Sequence, residues 1–146
     1  MTDSQWIWQC ERVIASDTVA GRRVLDEIVE RIAQHDWPKR DIFGIHLAVH
    51  EAVVNAIMHG NQLHAGKRVT VRCFLAPEMV RFEIADEGSG FDPKRVPDPT
   101  DADRLEHPGG RGVMLMREFM SRVEYNDRGN QVTLEKLRST TCEDES

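Results

Sequence analysis

The sequence predicts an α+β fold: a two-layer α/β sandwich whose mostly antiparallel mixed sheet is covered on one face by helices. Three observations lead there. Apolar residues at Ile42, Ile45, Val49, Ala52, Val53 and Ala56 recur at the i, i+3, i+4 spacing of an amphipathic helix. Val69, Val71, Cys73 and Leu75 alternate along one run and Val80, Phe82 and Ile84 along the next, forming a hairpin around Ala76-Pro77-Glu78. The elements follow in the order strand, helix, helix, two strands, loop, helix, two strands.

Each element has a local reason. Gln5 to Ile14 is rich enough in aromatic and β-branched residues to be a strand, of the kind found at a sheet edge. Its Trp6 and Trp8, on one side of that strand, read as core or subunit interface rather than ligand contacts. Ser16 or Asp17 caps a helix carrying Val24, Leu25, Ile28, Val29 and Ile32 on one side. That helix should stop near His35-Asp36, because Trp37 precedes a proline. Pro38 suits the first turn of the second helix, which is expected to run to about Asn61. The hairpin spans Lys67 to Leu75 and Met79 to Ala85. From Asp86 to Pro108 the chain turns to Gly, Pro and Asp, and a segment that long without a core face is usually functional. Helix returns over Val113 to Ser121, with Met residues as core filler. Arg122 to Tyr125 and Asn130 to Leu137 close the fold as a second hairpin across Asp127-Arg128-Gly129.

With 146 residues, 40% hydrophobic and 30% charged, the chain has the composition of one ordinary globular domain. The domain is placed at 1–138, and an acidic tail at 139–146 is expected to be disordered. A net charge of -6 argues against a general nucleic-acid or anionic-membrane binder. Cys10, Cys73 and Cys142 have no metal-ligand spacing and read as reduced thiols. His35, His46, His50, His64 and His107 read as solvated or capping side chains. Neither a signal-peptide pattern nor an apolar run of membrane-spanning length is evident, so the expected location is cytoplasmic.

Three features converge on one cleft in this layout. Glu51, Asn55 and His59 form a polar column beside the apolar stripe of the second helix. A Glu there can act as a base, and an Asn oxygen can ligate a hard cation or orient a water. Asp86 ends a strand, where it can accept a hydrogen bond from an amino group such as that of adenine, and Gly88 and Gly90 let the backbone approach a flat ligand. Gly109-Gly110-Arg111-Gly112 precedes a helix, whose N-terminal N–H groups suit phosphates, and Arg111 adds charge. The chain has no Walker A loop and no dinucleotide fingerprint. Taken singly, the column is more often a solvated flank and each glycine cluster an ordinary turn; their combination in this order is the stronger signal.

In that combination the chain resembles the GHKL (Bergerat-fold) ATPases, and its fuller wording is most similar to bacterial anti-sigma-factor serine kinases. Glu51-x-x-x-Asn55 followed by His59-Gly60 looks like the N box, Asp86-x-Gly88-x-Gly90 the G1 box, and Gly110-x-Gly112 the G2 box. The resemblance covers roughly residues 10 to 138. It implies ATP and Mg²⁺ as cofactors, with Asn55 the Mg²⁺ ligand and Asp86 the adenine acceptor. Gly88, Gly90, Gly110 and Gly112 would contact the nucleotide, flanked by Gly109, Arg111 and Val113, with a mobile ATP lid over Pro93 to Arg111. Glu51 would take the proton from the attacking hydroxyl. The implied partners are a sigma factor, a Ser-bearing anti-sigma-factor antagonist and a second copy of the chain, with no direct nucleic acid and no membrane.

The pattern departs at Gly129-Asn130-Gln131-Val132, where the family often has Gly-Thr-x-Val, so a hydroxyl near the phosphates is missing. Histidine kinases share the boxes but need a separate phosphoacceptor domain, for which 146 residues leave no room. Two functions remain: an ATP-dependent protein serine kinase that also sequesters a sigma factor, or an ATP-binding partner-switching module without significant kinase activity. Glu51 beside Asn55 favours the first.

Overall fold

The computed structural model describes residues 6–64, 66–88 and 116–139. Strand β1 (Trp8–Ala15) is followed by helices α1 (Thr18–Ala33) and α2 (Lys39–Asn55), and α2 runs on into a π-helical turn, Ala56–Gly60. Strands β2 (Arg68–Leu75), β3 (Met79–Asp86), β4 (Arg122–Tyr125) and β5 (Gln131–Leu137) complete the sheet, whose order is β1-β2-β3-β5-β4. All of its described pairings are antiparallel, so the mixed character expected of it is not found among the described residues. The chain returns after β3 so that β5 takes the place beside it and β4 becomes the edge.

The helices lie on one face, as period-2 alternation requires. Val69, Val71, Cys73 and Leu75 of β2, and Val80, Phe82 and Ile84 of β3, point inward and are almost fully buried. They meet Leu25, Ile28 and Ile32 of α1 and Ile45, Val49 and Val53 of α2 in one core. Small residues let the helices approach: a Cβ on Gly21 would stand 2.8 Å from Val53 Cγ1. The outer face carries charge instead, with Glu135 accepting from Arg81 at 2.7 Å and pairing with Arg122 at 3.4 Å.

The caps largely follow the sequence. Asp17 Oδ1 accepts from Val19 N at 3.0 Å and starts α1. Past the end of α1, Asp36 takes φ 61, a left-handed reversal that Asp tolerates. Pro38 stands one place earlier than expected: its ψ of 141 is extended, which makes it the cap of α2 rather than part of its first turn. The expectation for the tryptophans holds for Trp8, which packs against the core under Arg31 of α1 at 5.2 Å. It needs correction for Trp6: the strand begins only at Trp8, so Trp6 escapes the alternation and meets outward-facing Phe74 at 5.5 Å with tilted rings.

Lys39–Gly60 is 22 residues long and contains an 18-residue window of mean hydropathy 1.3, enough by length and composition to cross a membrane, contrary to the expectation of no such run. Its buried side chains, Ile45, Ala48, Val49, Ala52, Val53 and Ile57, belong to the core beside the sheet. Cys10 and Cys73 are free thiols opposite each other on β1 and β2. Burial pushes both thiols up, which keeps them protonated and unreactive. Cys142 lies outside the described residues, as does Val113 to Leu115 of the expected third helix; residues 116–119 are helical.

Candidate functional site

Glu51 and Asn55 sit one turn apart on α2, both half-buried at the margin of the apolar stripe. Glu51 makes no hydrogen bond or ion pair with the described residues, which leaves its carboxylate available. Asn55 is more telling. Its Nδ2 is buried and, like Trp37 Nε1, has no hydrogen-bond partner among the described residues. A buried amide without an acceptor costs about 1–3 kcal/mol, so an acceptor from outside the described residues would relieve it. His59, expected to extend the column, does not: the helix widens after Asn55, and His59 is exposed on the π-helical turn.

That widening shapes the rest of the site. Asn61 N donates to Ala56 O at 2.8 Å, an i→i−5 bond that closes the wide turn. The turn delivers the Gly60 backbone against Asp86. A Cβ on Gly60 would lie 2.2 Å from Asp86 Oδ2, and one on Gly88 would lie 1.8 Å from the Gly60 carbonyl oxygen. Residues 60 and 88 must therefore both be glycine for these backbones to touch. Gln62 and Leu63 follow with φ 53 and 59, a left-handed pair that is costly for a branched side chain such as Leu.

Asp86 ends β3, its N–H donating to Asn130 O at 2.8 Å. Its Oδ1 accepts from Gly88 N at 2.8 Å, which folds the turn back on itself. Burial pushes the carboxyl up, while the Gly88 N–H and the Lys67 charge draw it back down. The result is a half-buried acid whose Oδ2 rests on a glycine, an arrangement suited to accepting from one flat donor. Tyr125 of β4 stands on the same face; burial pushes its phenol up, the Arg117 charge lowers it, and the Asp86 charge raises it again. Asn130, at the position of the absent hydroxyl, is occupied elsewhere: its Oδ1 accepts from Asn126 Nδ2 at 2.8 Å, within the β4–β5 hairpin.

The structure brings Asp86 and Gly88 against Gly60 and Asn61, at the end of the helix that carries Glu51 and Asn55 one turn apart. Gly90, Gly109, Gly110, Arg111, Gly112 and Val113 lie outside the described residues, as does the expected lid. Sequence reasoning placed Gly60 in the N-box wording without giving it a role, and it missed Asn61, which after an apolar helix and a Gly reads as an ordinary helix end. Among the described residues no group of three or more His, Cys, Asp or Glu side chains is placed to hold a metal ion.

Glycine backbone packed around one acid, at the end of a helix that carries a free carboxylate and a buried amide, is an arrangement a nucleotide fits on an α+β domain. The chain matches the family model described as the histidine kinase-like ATPase domain over residues 14–136 and belongs to that family. It is also similar to the anti-sigma F factor of Thermoanaerobacter sp. (strain X514), 33% identical over 107 residues, covering 72% of this chain and 74% of that protein. The anti-sigma F factor of Bacillus cereus (strain AH187) is 38% identical over 96 residues, covering 64% of this chain and 65% of its own length.

Proposed function

We propose that this chain is an ATP- and Mg²⁺-dependent protein serine kinase that also sequesters a sigma factor and is switched by phosphorylating a Ser on that factor's antagonist. Membership of the ATPase family supports ATP binding, and the relatives called anti-sigma F factor support the sigma-factor role. The observation that carries the kinase reading is the pairing of a free Glu51 with Asn55, whose buried Nδ2 lacks a partner. Phosphate oxygens are the acceptors that amide needs, and Oδ1 of the same group would hold Mg²⁺, which prefers few protein ligands beside phosphate and water. When bound, Mg²⁺ neutralises phosphate charge. Asp86 orients the base, and the Gly60 and Gly88 backbones set how closely it approaches. Glu51 accepts the Ser hydroxyl proton as the oxygen bonds to the transferred phosphoryl group and ADP leaves. The protein acts in the cytoplasm, as a homodimer.

One observation favours a second reading, an ATP-binding module without significant kinase rate. Asn130 replaces the hydroxyl expected near the phosphates, and its amide is held by Asn126. Glu51→Gln separates the two. Labelled ATP with the antagonist encoded beside this gene should phosphorylate it with wild-type protein. The variant should lose about 10²–10⁴-fold in rate, the usual contribution of a general base, while still binding ATP and the sigma factor. Wild-type rates in the variant remove Glu51 from the chemistry, and no phosphorylation by the wild type leaves the binding module.

A further inference from the structure

Asn61 is the most thoroughly bonded side chain near the site, yet it is only 1% exposed and too deeply set to meet a nucleotide. Its Nδ2 donates to Ser16 Oγ at 2.9 Å and to Arg68 O at 3.0 Å. Its Oδ1 accepts from Glu87 N at 2.8 Å. Around it, Ser16 Oγ donates to Lys67 O at 2.8 Å, and Glu87 Oε1 accepts from Arg68 N at 2.5 Å. One amide thus ties together the β1–α1 corner, the start of β2 and the residue that follows Asp86.

The register of these contacts gives them direction. Gly60 touches Asp86 and Gly88, and the next residue, Asn61, bonds Glu87 between them. Asn61 N itself closes the π-helical turn at Ala56 O. Two short segments, 60–61 and 86–88, are therefore spliced side by side, and the widened helix end is what brings them level. Among the described residues Asp86 is otherwise held by its own Gly88 N–H, by Asn130 O and by its place beside Val69 of β2. A half-buried carboxylate aimed at one donor must be fixed to a few tenths of an ångström for its selectivity to hold.

We infer that Asn61 is the positioning residue for base recognition: it locks Glu87, and so aims the Asp86 carboxylate, without touching the nucleotide. The inference rests on the reading that Asp86 accepts from the adenine amino group. It assigns the choice of base to a latch between the helix end and the strand end as well as to the acid itself. Asn61→Ala removes the latch at all three of its bonds. Asn61→Asp keeps an oxygen for Glu87 N and gives up the two donated bonds.

The test compares the affinities of ATP and inosine triphosphate, which carries an oxygen in place of the amino group, by calorimetry on the full chain. Wild type should prefer ATP, and Asp86→Asn should lose that preference. Asn61→Ala should lower the ATP-to-inosine-triphosphate ratio by about tenfold, the equivalent of one hydrogen bond to a charged group. Asn61→Asp should restore most of the ratio even where its melting temperature remains low, since a merely structural residue would move stability and leave the ratio alone. Ser16→Ala removes the hydroxyl that accepts from Asn61 Nδ2, so it loosens the same latch from its far side; it should shift the ratio in the same direction, which keeps the test alive if Asn61→Ala does not fold. A wild type that does not distinguish the two nucleotides overturns the Asp86 reading and this inference with it. Discrimination that is lost in Asp86→Asn but intact in Asn61→Ala, or in Ser16→Ala where the former does not fold, overturns the latch alone.

Discussion

The two ends of α2 each bury a polar side chain, and they use it in opposite ways. At the start of the helix Asp41, 2% exposed, is fully engaged: it accepts from Ser139 N at 2.8 Å and Ser139 Oγ at 2.7 Å, with Lys136 Nζ at 3.9 Å. Arg138 extends that strap, lying over Trp37 at 5.7 Å and bonding the His35 and Asp36 carbonyls. At the other end of this 17-residue helix, Asn55 keeps a buried donor without a partner among the described residues, and two glycines are crowded against an acid. A satisfied buried group stabilises the fold and has nothing left to offer. An unsatisfied one costs stability until a ligand completes it. Trp37 Nε1, just before α2, is buried without a partner among the described residues as well, so the crowding of Gly60 and Gly88 on Asp86 is what sets the far end apart.

The largest effect is expected where the binding end is most crowded. Gly60→Ala puts a Cβ 2.2 Å from Asp86 Oδ2, so the carboxylate must leave its place. Loss of one charged hydrogen bond together with overpacking should weaken ATP by about 100-fold, measured by calorimetry. Unchanged affinity would mean that the contact between Gly60 and Asp86 has no part in binding. At the holding end, Asp41→Ala removes two hydrogen bonds from Ser139 to a charged acceptor and should cost about 3 kcal/mol in denaturant unfolding. ATP affinity should stay within about twofold, as expected of distant sites. A large loss of ATP affinity in Asp41→Ala would break the division between the two ends.

Much of this was legible in the sequence, for identifiable reasons. The strands announce themselves because one face is core and the other solvent, so Val69 to Leu75 must alternate. Glu51 and Asn55 are visible as a column because an α-helix has a fixed period. The π-helical turn has no such signature: Ala56–Gly60 is apolar like the helix before it, and only the i→i−5 bond distinguishes it. His59 was misplaced for that reason, and Asn61 went unnoticed. Trp6 was misread because alternation says nothing about where a strand begins. Ser139, assigned to a disordered tail, is tied to Asp41 across 98 residues of sequence, a contact that no local pattern encodes.

The smallest effect probes the cost of keeping Asp86 ready. Burial raises its carboxyl above the ordinary 3.8, so between that value and the raised one the folded protein binds more protons than the unfolded chain. Stability from this group is present below 3.8 and is lost as pH rises through the folded value; at neutral pH the charged acid is a liability to the nucleotide-free protein. Asp86→Asn removes the charge and keeps an oxygen for Gly88 N. The nucleotide-free variant should therefore be slightly more stable than wild type at pH 7, with the gain vanishing as pH falls below 3.8. The same substitution should weaken ATP by about tenfold, because an amide N–H₂ cannot accept from the base. Unfolding midpoints across pH, with and without ATP, read both effects in one protein. A variant less stable than wild type at neutral pH would mean that Asp86 is a structural acid like Asp41, and the two ends would no longer differ in kind.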